Sequence, residues 1–188
     1  MKITTKQVTQ TALLLALCII SQLFKNTSVY ITGPIINAIL VVTLLTVNLP
    51  ASFILCIIVP LTSFLITGSP IMAAIPLIFP VIMIGNMLLV LAIWAFYKKK
   101  RQNKNLYFGM FLGCTVKTLF MWIMTSFVLF PLMGSQLKSF IPKPEIYKTL
   151  LASAKVTFSI TQFITAVVGC VLATIIMVPL RKYLKNQE

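Results

Sequence analysis

Residues 105–130 read NLYFGMFLGCTVKTLFMWIMTSFVLF. The run is long and apolar enough to cross the ~30 Å hydrocarbon core of a bilayer, yet Lys117 stands near its middle. An ammonium in hydrocarbon costs about 2.5–3.5 kcal/mol on insertion scales, and roughly 10 or more in simulations, unless it meets water or a partner. The chain holds two acids, Glu145 and Glu188, and neither lies in an apolar segment. With no built-in counter-ion at depth, Lys117 must snorkel, face a wet cavity, bond to amides and carbonyls, or meet a ligand brought from outside.

Composition widens that reading to the whole chain. Of 188 residues, 59% are apolar and 10% charged, against about 25% charged in soluble domains. An all-α integral membrane protein of one domain, residues 1–188, is expected. The net charge of +14 would suggest nucleic acid in a soluble chain. Here the basic residues sit in short clusters beside apolar runs, which is the positive-inside pattern, so membrane lipid and not nucleic acid is the expected surrounding. Cys18, Cys56, Cys114 and Cys170 all fall within apolar runs, at no metal-ligand spacing, and there is no His. They read as packing residues, and no metal or cofactor is expected. The first run resembles a signal peptide in its basic start but lacks a small-x-small cleavage site, so it is read as a retained helix.

Six spans follow along the chain. The first covers about 5–24, with Lys2 and Lys6 flanking it. The second is expected to start near Thr32-Gly33-Pro34, with Thr32 as cap and Pro34 in the first turn, and to end at Asn48-Leu49-Pro50. The third, 51–66, is short and contains Pro60; it is either a short kinked span or re-entrant, and a span suits the charge count. The fourth, 71–97, is bent or broken in its first half by Pro76 and Pro80. The fifth is the opening stretch, expected to end at Pro131 and Gly134. A loop over 135–155 is expected next, holding a short amphipathic helix from Glu145 to Ala154. The sixth span runs over about 156–180. With six spans, ten of the sixteen basic residues fall on the side of both termini and the Lys98 cluster, and five in the opposite loops. That tally predicts cytoplasmic N- and C-termini.

A rise of 1.5 Å per residue sets approximate depths. Asn37 and Gln162 lie roughly 8–9 Å below the outer ends of their helices, and Lys117 and Asn86 roughly 15–18 Å from the inner ends of theirs. Four polar side chains on four helices at similar depth predict one shared interior. For each amide the alternative is interhelical hydrogen-bond glue. Glue needs no charge, so Lys117 points to a wet or ligand-filled cavity. Trp122 and Tyr30 complete the expected substrate-binding set. The alternative for Trp122 is an interfacial anchor, and for Tyr30 a belt aromatic. Ala12/Ala16 and Gly109/Gly113 are small-xxx-small pairs that let helix backbones approach closely. No Ser-His or Cys-His set, intramembrane acid or phosphate loop is present, so the chain is not expected to be an enzyme or to hydrolyse ATP.

Over essentially its whole length the chain resembles the substrate-binding S components of energy-coupling factor (ECF) vitamin transporters. The resemblance rests on Ala12/Ala16, the ITGPIINAIL entry to the second helix, PVIMIGN ending at Asn86, the Lys117 helix, and the segment from Thr161-Gln162-Phe163 to Gly169. It implies a bacterial plasma-membrane protein that captures a vitamin-like nutrient from outside. It also implies a transmembrane T component contacted through Ala12 and Ala16, and two ATPase subunits that drive the cycle. Pocket chemistry narrows the nutrient to a neutral or anionic one. A lysine with several amides suits a carboxylate, phosphate or electron-rich carbonyl, whereas thiamine lacks a carboxylate partner and cobalt or nickel lacks His. The alternatives are a self-sufficient small transporter or channel, and a structural membrane protein without a ligand.

Overall fold

The computed structural model describes residues 4–24, 29–100, 103–141 and 143–185. Lys2, residues 25–28, Arg101, Pro142 and Glu188 lie outside them. Nine α-helices occur among the described residues: α1 Thr5–Leu23, α2 Val29–Thr46, α3 Leu49–Thr67, α4 Pro70–Ala74, α5 Ile78–Lys100, α6 Asn103–Ile123, α7 Phe130–Phe140, α8 Pro144–Val156 and α9 Gln162–Lys185. Two π-helical segments, Met124–Leu129 and Thr157–Thr161, join α6 to α7 and α8 to α9. Six helical runs are long and apolar enough to cross a membrane.

The spanning helices close a ring in the order α1, α3, α5, α6, α9, α2, with the most extensive contacts between α5 and α6 and between α2 and α9. α2 also touches α3 and α5. It is the most buried of the six, as an all-round apolar helix should be. α1 is the least buried. It docks through Cys18, Ser21 and Gln22 near its C-terminal end, where the Gln22 amide donates to the Val59 carbonyl at 3.1 Å. Val8, Ala12, Leu13, Ala16 and Leu17 of α1 are exposed.

The helix boundaries differ from the expected ones in three places. α2 begins at Val29, with Pro34 inside it and no cap at Thr32. Pro34 deletes only the bond to the Tyr30 carbonyl, and Tyr30 is itself held by its hydroxyl, 3.3 Å from Thr161 Oγ1. The third run is a 19-residue helix, Leu49–Thr67, long enough at about 28 Å to span. Asn48 caps it by accepting from the Ala51 N–H at 2.8 Å. The fifth run does not stop at Pro131. The bonding widens through Met124–Leu129, with the Phe130 N–H donating to the Thr125 carbonyl, and Pro131 falls in the first turn of α7, where its missing N–H is not needed. The expected amphipathic helix from Glu145 to Ala154 is present as α8, and the start of the expected 135–155 loop is helical as well, as the end of α7. The expected break in the fourth run is present between Ala74 and Ile78.

The π segments lie where Ser and Thr hydroxyls take a carbonyl four residues back: Thr125 to Met121 at 2.7 Å and Ser159 to Lys155 at 2.6 Å. Such back-bonding competes with the backbone ladder and bends helices. The runs Asn103–Phe140 and Pro144–Leu180 have 38 and 37 residues, roughly 55 Å each, so they outreach the hydrocarbon core. Their far ends build a second apolar cluster around Met121, Leu129, Phe130, Leu137 and Phe158, with Met72, Ile75 and Ile78 of the α4–α5 segment. The main cluster fills the ring around Leu40, Leu55, Leu89, Ile93 and Ala166. Gly109 and Gly113 serve the α5–α6 crossing, since a Cβ at 113 would meet the Leu89 carbonyl oxygen at 2.8 Å.

Candidate functional site

Between the two clusters lies a cavity of about 420 Å³. Residues of both clusters line it, including Val59 from the ring and Met72 and Phe158 from the second cluster. It lies at the start of α2, the end of α3, α4 and the α8–α9 junction. Asn37, Asn86, Lys117 and Gln162 all contribute to its wall, so the four polar residues expected at depth share one interior.

Lys117 is buried, at 2% exposure. Its Nζ donates to Asn37 Oδ1 at 2.7 Å, and Asn37 Nδ2 donates to the Gly33 carbonyl at 3.0 Å. The chain α6 to α2 side chain to α2 backbone thus aims the ammonium and fixes the orientation of the amide. A close helix approach places Asn37: a Cβ on Gly169 of α9 would sit 2.6 Å from Asn37 Cβ and 2.8 Å from the Pro34 carbonyl oxygen. Only glycine at 169 leaves room for α2 there.

Asn86 is 4% exposed and lines the same cavity. Its side chain makes no hydrogen bond to another described residue. Its amide is not among the buried polar atoms closed off without a partner, so it is presented to the cavity. Lys117 is the sole charged residue among those lining the cavity.

Two expected site residues lie elsewhere. Trp122 is 41% exposed, packs edge-on against Phe127 at 5.5 Å, and is absent from the cavity wall. Five residues along an α-helix amount to a rotation of about 140°, which takes Trp122 off the face of Lys117 and leaves Met121 there instead. Tyr30 is 56% exposed and also outside the wall, although its neighbour Val29 is part of it. Residues that sequence reasoning missed are the hydroxyls of the lining, among them Thr32, Ser63, Thr67, Ser153 and Thr165. Ser and Thr within apolar helices usually bond back to a carbonyl of their own helix, as Thr165 does to Thr161 at 2.8 Å, so their residue types alone gave no signal.

The four cysteines are free and buried. Cys114 and Cys170 lie with sulfurs 3.6 Å apart at the α6–α9 contact. Among the described residues no cluster of His, Cys, Asp or Glu is arranged to hold a metal.

Six apolar spans thus surround a cavity that carries one buried lysine. The family described as "ECF transporter, substrate-specific component" matches residues 6–181. The chain belongs to this family. It is an S component, a substrate-binding membrane subunit for transport, and a multi-pass protein of the bacterial plasma membrane. No curated protein and no solved structure matches it.

Proposed function

We propose that this S component, folded as a single membrane domain, captures a neutral or anionic vitamin-like nutrient from outside in the cavity around Lys117. It would then deliver the nutrient through a T component driven by two ATPase subunits. The observation that carries this reading is the convergence of Lys117, Asn37, Asn86 and Gln162, from four separate runs, on one cavity of about 420 Å³. That volume is within the ~300–1,000 Å³ typical of small-molecule pockets. A buried ammonium held by an amide and free of acids is costly as structure alone, and suits recognition of an acceptor group.

Orientation follows from charge. Both termini are placed in the cytoplasm by the basic tally, which puts the cavity in the outer half. Lys98 lies 4.6 Å over the Trp94 ring at the opposite end of α5, the kind of pair that anchors a helix at an interface. Coupling is assigned to α1, where the exposed Ala12 and Ala16 form a smooth strip between larger exposed side chains, a surface on which a partner helix fits closely.

The test is uptake in proteoliposomes. Substrate should accumulate only when this chain is joined by a T component and ATPases with ATP. Uptake by the chain alone would instead make it a self-sufficient transporter, and absence of any bound small molecule would make it a structural protein.

A further inference from the structure

We infer that the molecule held in this cavity is an aliphatic monocarboxylate, not a planar aromatic, a cation or a phosphate ester. The inference rests on the proposed reading of the cavity as the substrate site and narrows it by three observations.

The first is charge. Among the lining residues there is one cation, Lys117, and no acid. Its one protein hydrogen bond goes to a neutral amide oxygen, Asn37 Oδ1, whereas an ammonium has three donors. A single negative charge leaves the site neutral at membrane depth. A neutral ligand leaves the ammonium uncompensated, and a phosphate monoester, at close to two negative charges, leaves an excess negative charge. Uncompensated charge in a buried site is strongly unfavourable, so the count selects a monoanion.

The second is the wall. Phe158 is the sole aromatic among the lining residues. The remaining apolar lining is aliphatic, with Ile36, Val59, Ile71, Met72 and Ile82, interleaved with Ser and Thr hydroxyls. Flat conjugated rings are best held by stacking between aromatic or guanidinium planes, and this wall offers no such pair. Branched aliphatic walls with scattered hydroxyls and the unpaired Asn86 amide suit a non-planar chain bearing hydroxyl or amide groups.

The third is the surroundings. The α7–α8 hairpin beside the cavity exposes Lys138, Lys143, Lys148 and Lys155 against one acid, Glu145. Ser153 and Ala154 of the same hairpin line the cavity. A hairpin of net positive charge favours the approach of anions over cations at low salt.

The experiment uses the detergent-solubilised full chain, stripped of small molecules, and the small-molecule pool of a rich growth broth. The pool is split on anion-exchange resin into retained and unretained fractions. We expect the retained fraction to raise the melting temperature by about 5–10 °C, as near-saturating ligand does for a chain of this size. Alkaline phosphatase treatment should leave that shift intact, and methyl esterification of carboxylates should abolish it. The captured molecule should lack the near-ultraviolet absorbance of a conjugated ring, and Lys117→Met should show a clearly smaller shift at the same ligand concentration. Stabilisation by the unretained fraction, loss on phosphatase treatment, or a conjugated chromophore overturns the monocarboxylate while leaving the S-component reading in place. Equal stabilisation of Lys117→Met overturns the site. No stabilisation by either fraction overturns both.

Discussion

Replacing Lys117 with Met tests the cavity at its most exposed assumption. Met keeps most of the length and volume of the lysine stem, so packing beside Gly85 and Cys114 changes little. What is lost is a charge and the 2.7 Å bond to Asn37 Oδ1. A hydrogen bond from the lysine ammonium to a bound acceptor contributes about 1.5–3 kcal/mol, so losing it should raise the dissociation constant roughly 10- to 150-fold. Stability should move the other way or not at all. Leaving Asn37 Oδ1 without its donor costs about 1–3 kcal/mol, but removing a buried cation relieves a desolvation penalty of several kcal/mol. Adding Asn37→Leu to Lys117→Met removes the orphaned acceptor, and should raise the melting temperature above that of the single variant without restoring binding. The assay is equilibrium dialysis of the molecule eluted from the wild-type protein, with thermal unfolding of each variant alongside. An unchanged dissociation constant in Lys117→Met refutes the assignment. A loss of binding that merely tracks a loss of stability refutes it equally.

Four further variants probe separate parts of the molecule. Asn86→Leu should weaken binding about tenfold, the loss of one hydrogen bond, with little change in melting temperature, because the amide has no described protein partner to lose; a drop in melting temperature would show that Asn86 is structural. Ala12→Trp and Ala16→Trp, on the exposed face of α1, should leave affinity unchanged but abolish co-purification with a T component and ATP-driven uptake. Normal uptake would move coupling off α1. Gly169→Ala places a Cβ 2.6 Å from Asn37 Cβ, and overpacking of this kind costs about 1–3 kcal/mol. The melting temperature should fall by roughly 3–10 °C, with weaker binding as Asn37 is displaced; no change in either would show that α2 and α9 have slack there.

The spans were legible because burial in lipid leaves the same mark at every residue. Apolar runs such as 29–46 and 78–98 stand out whatever they pack against. The convergence of Lys117, Asn37, Asn86 and Gln162 was legible for a related reason, since each polar side chain at depth must find an interior and the bundle has few. Depth alone says nothing about rotation, and that is where Trp122 went astray: it shares the helix of Lys117 but not its face. Proline misled at Pro34, read as the start of a helix that begins at Val29, and at Pro131, read as the end of a run that a π segment carries on into α7. The amphipathic helix of α8 was legible, but α7 was read as the end of the span and the start of a loop, although Phe130 and Leu137 are buried in the second cluster, which only the folded arrangement reveals.

The most direct measurement is an experimental structure of the protein with its co-purified molecule in place. We expect the molecule in the cavity between the two apolar clusters, with an acceptor oxygen within hydrogen-bond distance of Lys117 Nζ and a polar group on the Asn86 amide. A molecule seated instead in the apolar crevice between α6 and α9, lined by Tyr107, Phe111 and Cys170, or one that leaves Lys117 bonded to Asn37 alone, would contradict the assignment of this cavity as the substrate site.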